Sequence, residues 1–237
     1  MRMRDARPGR PRHIPRTSAA PPRDQVLHAA AELFVTRGFA GTSTREIAER
    51  VGIRQASLYY WFAGKGEILA ELLQRSVRPT VDKVAKIEAM VPPETYETAL
   101  YLLALVDIRT LAEAPDNIGI LAGMPDVTSC DVFGEFRDVR QELADAYGRL
   151  GLQIASPEVV AETDARELGE MLMHSIEVIT KTRSGGRSVT TRMANNIAGS
   201  CLRTCGVTED GIASARSIAL ALLAEFHDET DRALPQG

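Results

Sequence analysis

The hydrophobic residues of this chain recur every three or four positions from about residue 24 onward, which is the spacing of amphipathic α-helices. A first helix is expected to end at Gly38, and a second to begin at Ser43 and end at Gly52. Ser43 and Glu46 have the spacing of a capping box, in which both side chains satisfy free backbone N–H groups at a helix start. A third, short helix is predicted over Gln55–Trp61. The core of this three-helix unit is expected to hold Phe34, Phe39, Leu58 and Phe62.

A long fourth helix is predicted by the apolar positions from Ile68 to Ile87, with a kink at Pro79. Pro93 and Pro157 suit the first turn of a helix, where a missing N–H costs little. Further helices are expected near residues 93–114, 116–122, 129–150, 157–183, 188–205 and 208–229. No segment alternates with a period of two over the length of a strand, so the predicted fold class is all-α.

The chain has 237 residues, of which 44% are hydrophobic and 25% are charged. This composition excludes a fibrous or wholly disordered protein. Uninterrupted apolar runs reach only eight residues, whereas a membrane-spanning helix needs about twenty. No apolar segment follows the Arg-rich start, so we expect no secretory signal. Three cysteines, an odd number, favour a reducing cytoplasmic compartment over a disulfide framework.

Charge is divided unevenly along the chain. Residues 1–78 contain 14 Lys and Arg against 7 Asp and Glu, whereas residues 79–237 contain 14 against 25. The N-terminal part therefore has a net charge of +7 and the rest of the chain one of −11, which indicates that the N-terminal part binds a polyanion. Residues 1–22, with six Arg and five Pro, predict a disordered basic arm. Its Pro8–Arg12 segment weakly matches the core of an AT-hook, and both a DNA-contacting arm and a solvated tail stay open.

Two short helices joined by a glycine turn have the plan of a helix-turn-helix, in which the second helix enters the major groove. Arg can bind guanine and Gln adenine through paired hydrogen bonds. Phenol, indole and ammonium groups can bind phosphates on either side of the groove. The side chains that this plan brings to DNA are Thr44, Arg45, Arg54, Gln55, Ser57, Tyr59, Tyr60, Trp61 and Lys65.

The segment Val26–Leu73 resembles the DNA-binding domain of the tetracycline-repressor (TetR) family of bacterial regulators. The resemblance rests on the segments AAELFVTRG, TREIAERVG, SLYYWF and GKGEIL in this order. It implies an all-helical homodimer with an N-terminal operator-binding domain and a C-terminal half that dimerises and usually binds a small effector. We therefore expect an arm over residues 1–22, a DNA-binding domain over 23–70, and an effector-binding and dimerisation domain over 71–237.

The resemblance also assigns roles to individual residues. DNA contacts at the start of the second helix are Thr44 and Arg45; base-facing positions are Gln55, Ala56 and Ser57; phosphate or sugar contacts are Tyr59 and Trp61; the phosphate anchor is Lys65. Three residues depart from the family pattern. Arg54 stands where a small capping residue is usual, Trp61 where His is common, and Gly66 where an acidic residue is usual. The third helix therefore lacks a cap.

In the C-terminal half, helices near 158–182 and 211–226 are the candidates for the dimer interface. An effector pocket is expected between the middle helices and the 157–183 helix, lined by polar groups among apolar neighbours. Its candidate residues are Tyr101, Arg109, Met124, Phe133, His174, Glu177 and Asn195. For His174, a structural role in the core or at an interface is the alternative.

The predicted function is a ligand-responsive transcriptional repressor that binds a palindromic operator as a homodimer and is released by a small molecule. The alternative is an architectural minor-groove protein led by the Arg/Pro-rich arm. No enzyme, cofactor or metal site is expected, because phosphate-loop, dinucleotide and nucleophile-elbow motifs are missing from the sequence. Cys201 and Cys205 are expected to be buried small side chains, with a thiol pair as the alternative.

Overall fold

Residues 22–92 and 95–232 are described in a computed structural model, and every regular element among them is helical. The described α-helices are α1 (Pro22–Arg37), α2 (Thr44–Val51), α3 (Gln55–Leu58), α4 (Lys65–Met90), α5 (Tyr96–Glu113), α6 (Pro125–Thr128), α7 (Phe133–Ile154), α8 (Pro157–Glu162), α9 (Ala165–Ser184), α10 (Thr191–Thr204) and α11 (Glu209–Arg232). A 3₁₀ segment, Pro115–Gly123, lies between α5 and α6. The predicted all-α class is confirmed.

Two predicted features lie outside the described residues. They are the basic arm with its Pro8–Arg12 segment and the helix start at Pro93. Within residues 22–92 and 95–232, no helix combines the length and the apolar character needed to cross a bilayer.

The predicted ends of the first two helices are confirmed. Gly38 follows α1 with a φ of 81°, and Gly52 caps α2 with a φ of 79°, a left-handed conformation that glycine adopts without steric cost. At the start of α2, the backbone N–H of Glu46 donates to Ser43 Oγ, while Glu46 Oε2 accepts from the backbone N–H of Ser43 at 2.9 Å. This capping box fixes where α2 begins and therefore which way its first residues face.

The predicted helix over residues 157–183 is wrong as one continuous element. It is divided into α8 and α9 because Thr163 is extended, with φ −144° and ψ 135°. Asp164 then caps α9 by accepting a hydrogen bond from the backbone N–H of Glu167 at 2.9 Å. The Pro157 start is confirmed, since Pro157 opens α8. The Asp164 cap is a helix-start signal that the apolar periodicity on both sides obscured.

Two further boundaries differ from prediction. α3 ends at Leu58, and the chain continues as hydrogen-bonded turns through Trp61. The element predicted near 116–122 is a 3₁₀ helix, in which Asp116 and Asn117 have φ angles of 53° and 54°. Asp and Asn tolerate this left-handed region better than other non-glycine residues. The chain therefore turns sharply where α5 ends.

The core has one helix at its centre. α5 is buried from Thr98 to Ile108, and α4, α7, α9, α10 and α11 pack around it. α4 continues through Pro79 and reaches from the three-helix unit into this bundle. In the three-helix unit the predicted core is confirmed, since the four large side chains are at most 8% exposed: Phe34, Phe39, Leu58 and Phe62.

The three-helix unit also touches the bundle directly. α1 lies against the 3₁₀ segment, where His28 Nδ1 is 2.6 Å from Asp116 Oδ2. In the α1–α2 loop, the backbone N–H of Ala40 donates to Asp126 Oδ2 on α6 at 2.8 Å. Together with α4, these contacts join the two parts of the molecule at three places.

Candidate nucleic-acid interface and ligand cavities

α2 and α3 each bury one side and expose the other. Ile47 and Ala48 of α2 and Leu58 of α3 are buried, whereas the other positions of both short helices are exposed or half-buried. The exposed residues at the start of α3 are Arg54, Gln55 and Ala56, and Ser57 is half-buried. As predicted, Arg54 makes no capping hydrogen bond with its side chain, which leaves the guanidinium available to an outside acceptor.

A chain of hydrogen bonds crosses from α2 to α3 on the outward side. Gln55 Nε2 donates to Thr44 Oγ1 at 2.9 Å, and the same hydroxyl lies 3.2 Å from the Tyr59 hydroxyl. The Thr44 hydroxyl therefore connects a residue predicted to read bases with one predicted to contact phosphate. This network restricts the rotamers of all three side chains before any ligand arrives, which lowers the entropy lost on binding.

Arg45 is exposed beside this network and is held by an ion pair along its own helix. Its Nε donates to Glu49 Oε1 at 2.9 Å. Because this bond uses only Nε, the terminal amino groups of the guanidinium face solvent and can donate to a phosphate or a base edge. Glu49 thus orients Arg45.

Aromatic side chains extend the exposed surface beyond α3. Tyr60 is 83% exposed and Tyr59 49% exposed, which is far more than the core aromatics. Trp61 is half-buried against the core, with its ring edge-on to Tyr60 at a centroid distance of 5.8 Å. Exposed phenols next to a polar helix start can donate to phosphates.

Lys65, predicted as a phosphate anchor, also has a structural role that the sequence did not reveal. Its Nζ donates to the carbonyl oxygens of Phe39 at 2.9 Å and Thr42 at 3.0 Å, and it lies 4.5 Å from the centre of the Phe39 ring. The ammonium group thereby closes the loop between α1 and α2. It also lies 3.5 Å from the Ala40 carbonyl oxygen, so each of its three N–H donors has a backbone acceptor, and a phosphate would have to replace one of them.

The structure separates the seven candidate effector residues instead of gathering them in one pocket. The Tyr101 hydroxyl is buried and donates to Asn195 Oδ1 at 3.1 Å. His174 is exposed on α9, with Nδ1 2.6 Å from the Glu170 carbonyl oxygen. Met124 and Phe133 flank α6, at the end of the bundle that faces the three-helix unit.

The other two candidates belong to ion pairs. Glu177 accepts from Arg140 of α7 at 2.8 Å, and Arg109 donates from Nε to Glu113 at 2.6 Å. Sequence spacing could not anticipate this dispersal, because it does not say which side of a helix is already covered by its neighbours.

Polar side chains fill the space between α4, α5 and α7. Tyr147 donates to Asp107 Oδ2 at 3.0 Å, and Thr80 donates to Asp107 Oδ1 at 3.2 Å. Burial raises the pKa of Asp107 to about 7, against the smaller lowering effect of the two hydrogen bonds. The same burial raises the pKa of Tyr147. These residues form a buried polar cluster between the three helices.

Two cavities instead lie on the α10 and α11 side of α5. One of about 710 Å³ is bounded by α5, the loop between α9 and α10, α10 and α11, and includes Arg109 and Asn195. The other, of about 420 Å³, lies between α10 and α11 and includes Tyr101 and Asn195. The larger volume is in the range of small-molecule sites.

The cysteines on α10 and beside it are buried thiols. Cys201 and Cys205 are fully buried, and burial raises the pKa of each to about 12. Thiolates, the reactive form, are therefore disfavoured. Across the described ranges, no group of three or more His, Cys, Asp or Glu side chains is placed to hold a metal ion.

The predicted dimer helices expose less apolar surface than their sequence indicates. Leu168, Leu172, Ile176 and Ile179 of α9 are fully buried inside the protomer. Among the residues whose side chains the structure describes, the large apolar ones that stay exposed on α8, α9 and α11 are Val160, Met171, Val178, Ile218 and Leu220.

A comparison with protein families matches one part of the chain. Residues 26–72, which contain α1, α2, α3 and the start of α4, match the family model described as bacterial regulatory proteins, tetR family. The matched segment includes every residue predicted to contact DNA.

Relatives and solved structures match longer parts of the chain. The negative transcriptional regulator IcaR of the Staphylococcus aureus (strain Newman) biofilm operon icaADBC is 29% identical over 125 residues, 52% of this chain. The match spans 65% of the length of that curated relative. The crystal structure of Mycobacterium smegmatis AmtR has 31% sequence identity and a TM-score of 0.73, covering 88% of this chain and 98% of AmtR.

A structure of AibR in complex with isovaleryl coenzyme A and operator DNA has the same fold. Its TM-score is 0.61 at 16% identity, and the match covers 76% of this chain and 97% of AibR.

Proposed function

Because the chain belongs to the TetR family of bacterial regulatory proteins, we propose that it is a cytoplasmic transcriptional repressor that binds operator DNA as a homodimer. The observation that carries this proposal is the Thr44 hydroxyl, which holds Gln55 and Tyr59 on one exposed surface. Exposed donors at a helix start, with phenols beside them, match the needs of a helix in the major groove.

In the proposed complex, α3 lies in the major groove and α2 crosses the backbone. Arg54 and Gln55 contact base edges beside Ala56 and Ser57, and Thr44 and Arg45 contact the backbone. The aromatic and cationic contacts to the sugar-phosphate chain are Tyr59, Tyr60, Trp61 and Lys65. We assign the DNA-binding domain to residues 23–70 and the effector-binding and dimerisation domain to residues 71–237.

The proposed homodimer uses three exposed apolar side chains of α9 and α11, without Leu220, which lines the larger cavity. Met171 and Val178 lie seven residues apart and therefore on one side of α9, and Ile218 is exposed on α11. A two-fold pairing of these surfaces places two copies of α3 on one duplex. Such a dimer reads a palindromic site whose half-sites are about one helical turn apart.

The proposed repressor is released from DNA by a small molecule. IcaR is named a negative regulator, and AibR was solved with an acyl coenzyme A and operator DNA. The contacts of α1 and the α1–α2 loop with the 3₁₀ segment and α6 provide a route from the bundle to the DNA-binding surface. A ligand that favours one arrangement of these contacts shifts the DNA-binding equilibrium.

The DNA-binding proposal is tested by gel shift with the fragment upstream of the chain's own gene and an unrelated fragment of equal length. Wild type should bind the upstream fragment more tightly, with affinity falling as salt rises. Gln55→Ala should lower the affinity for the upstream fragment by roughly 10- to 100-fold, since a base contact contributes about 1–3 kcal/mol. The affinity for the unrelated fragment should not change. Gln141→Ala, which removes an exposed glutamine on α7, is the matched control.

Equal losses on both fragments would contradict a base-reading role for Gln55. Salt-independent binding, or none, would contradict the DNA-binding function. Deleting residues 1–20 separates the two DNA-binding hypotheses. A modest loss is expected if α3 leads recognition, whereas near-total loss favours the arm-led architectural protein.

A further inference from the structure

The cavity of about 710 Å³ is lined by aliphatic side chains, here called its floor, and by charged side chains that are mostly basic, here called its rim. α5 forms one wall, the loop from Gly186 to Thr190 a second, and α10 and α11 close the remainder. The apolar side chains of the floor include Leu105, Ile108, Ala112, Ala194, Leu220 and Leu223. Such a surface favours an apolar guest, because covering it removes aliphatic area from water.

The rim carries three guanidinium groups and one carboxylate. Arg109, Arg183 and Arg187 line the cavity together with Glu113. This gives a local net charge of +2 inside a part of the chain whose net charge is −11. Arg109 gives its Nε to Glu113 and Arg183 gives one Nη1 donor to the Leu111 carbonyl, so each keeps further N–H donors.

We propose that this cavity is the effector site and that its ligand is an organic monocarboxylate with an aliphatic body. The apolar floor receives the body, and the arginines bind the carboxylate through charge-assisted hydrogen bonds. The assignment rests on the proposed function only for its effect on DNA. It differs from the sequence prediction, since Arg109 and Asn195 belong to the cavity and the other five candidates do not.

Two properties favour this ligand class over a nucleotide or inorganic phosphate. The side chains of the floor are aliphatic, so a base finds no ring to stack on. Inorganic phosphate could pair with the arginines of the rim, but it leaves the aliphatic floor uncovered and gains none of the apolar contribution that the body of a monocarboxylate adds.

Arg183 links the cavity to the DNA-binding part. Its Nη1 donates to the Leu111 carbonyl oxygen at 2.7 Å, at the end of α5 where the chain turns into Asp116 and Asn117. Asn117 Nδ2 donates to the Thr180 carbonyl oxygen at 2.8 Å, which ties this turn to α9. Asp116 contacts His28 of α1. A carboxylate that draws Arg183 toward the cavity therefore pulls on the turn that α1 rests against.

Calorimetric titration of the full chain tests the site without DNA, using octanoate, octan-1-ol and inorganic phosphate. Octanoate should bind with a stoichiometry of one molecule per chain. Octan-1-ol should bind at least about tenfold more weakly, since a hydrogen bond to a charged group contributes about 1.5–3 kcal/mol. Phosphate should bind much more weakly than octanoate, because it covers none of the apolar floor. The double variant Arg109→Gln, Arg187→Gln should lower octanoate affinity about tenfold or more and leave octan-1-ol unchanged.

Arg166→Gln is the matched control, because it removes an exposed arginine of α9 outside the cavity. Ala194→Phe fills the floor and should abolish binding of octanoate and octan-1-ol alike. Equal affinity for octanoate and octan-1-ol, no octanoate binding, or a double variant that binds as wild type overturns the site. Phosphate binding as tight as octanoate overturns the role of the apolar floor.

The link through Arg183 has its own readout. Octanoate should weaken binding of wild type to the upstream DNA fragment. In Arg183→Lys, which keeps the charge but loses the fork, octanoate should still bind while its effect on DNA falls. An unchanged DNA effect in this variant overturns the link alone. A chain that binds octanoate as described but never binds DNA specifically overturns the proposed function and leaves the ligand site standing.

Discussion

One buried carboxyl group holds together three helices of the bundle. Asp107 of α5 accepts hydrogen bonds from Tyr147 of α7 and Thr80 of α4, and it is only 3% exposed. Two charged groups also act on it: Glu177 raises its pKa and Arg140 lowers it. Because burial has the larger effect, the folded protein favours the protonated carboxyl at pH values below about 7.

Asp107→Asn should therefore change how stability depends on pH. The folded carboxyl has a pKa of about 7 against 3.8 for an ordinary Asp, so the folded state binds more protons between these values. The free energy of unfolding should then fall as pH rises through this window, by up to about 1.4 kcal/mol per pH unit. Urea unfolding between pH 4.5 and 7.5 should give a flatter profile for the variant.

The exposed Asp145→Asn on α7 is the control and should keep the wild-type profile. Parallel profiles for wild type and Asp107→Asn would contradict the raised pKa.

Lys65 carries a second prediction for a single residue. Lys65→Met should lower the free energy of unfolding by about 1.5–3 kcal/mol, because the carbonyl oxygens of Phe39 and Thr42 lose a charged donor. Lys83→Met, about five turns along the same helix, removes an ammonium group without touching the α1–α2 loop. Thermal unfolding of both variants measures the difference, and equal small losses would contradict the structural role of Lys65.

The same variant also tests the phosphate contact. The slope of binding affinity against salt should fall by about one unit if Lys65 neutralises one phosphate in the complex. An unchanged slope would limit Lys65 to its role in the loop.

Two glycines allow α7 and α9 to pack in close contact. A Cβ atom on Gly148 of α7 would lie 1.9 Å from the Ala165 carbonyl oxygen, and one on Gly169 of α9 would lie 2.1 Å from the Ala144 carbonyl oxygen. The two helices therefore touch backbone to backbone, and neither position can accept a side chain without separating them.

Gly148→Ala should cost at least roughly 1–3 kcal/mol of stability, the usual range for overpacking a core. Gly134→Ala is the matched control on the same helix, since nothing lies within 4 Å of its added Cβ. In the control variant the free energy of unfolding should stay unchanged or rise by up to about 1 kcal/mol, because Ala is a better helix former than Gly. Chemical unfolding measures both, and a harmless Gly148→Ala would contradict the close contact.

Local signals explain why most helix ends agree with prediction. Caps at Ser43 and Gly52 act on the nearest backbone groups and need no tertiary context. The break at Thr163 and Asp164 was missed because apolar residues continue on both sides of it. At this point the Asp164 cap favours a new helix start, whereas the apolar periodicity favours one continuous helix. The packing of α9 against α7 decides in favour of the new start.

The proposed dimer makes a prediction for the whole molecule. The double variant Met171→Glu, Ile218→Glu should weaken dimerisation strongly, because uncompensated buried charges cost about 3–5 kcal/mol. Sedimentation measures the monomer–dimer equilibrium, with Ala85→Glu on the exposed side of α4 as the control. DNA affinity should fall together with dimerisation. A variant that remains dimeric would place the interface elsewhere.

The sequence alone determined the helical class, the three-helix unit and the surface residues of α2 and α3. These follow from periodicity, caps and a contiguous segment of fewer than fifty residues, since contacts between neighbours in sequence depend little on the remainder of the chain. The sequence alone could not determine which polar residues of the bundle contact one another. Arg109 and Arg183 come together only because α5 and the end of α9 pack side by side, while Glu177 turns to Arg140. Such pairings depend on how helices rotate and cross, and only the packed tertiary structure sets those angles.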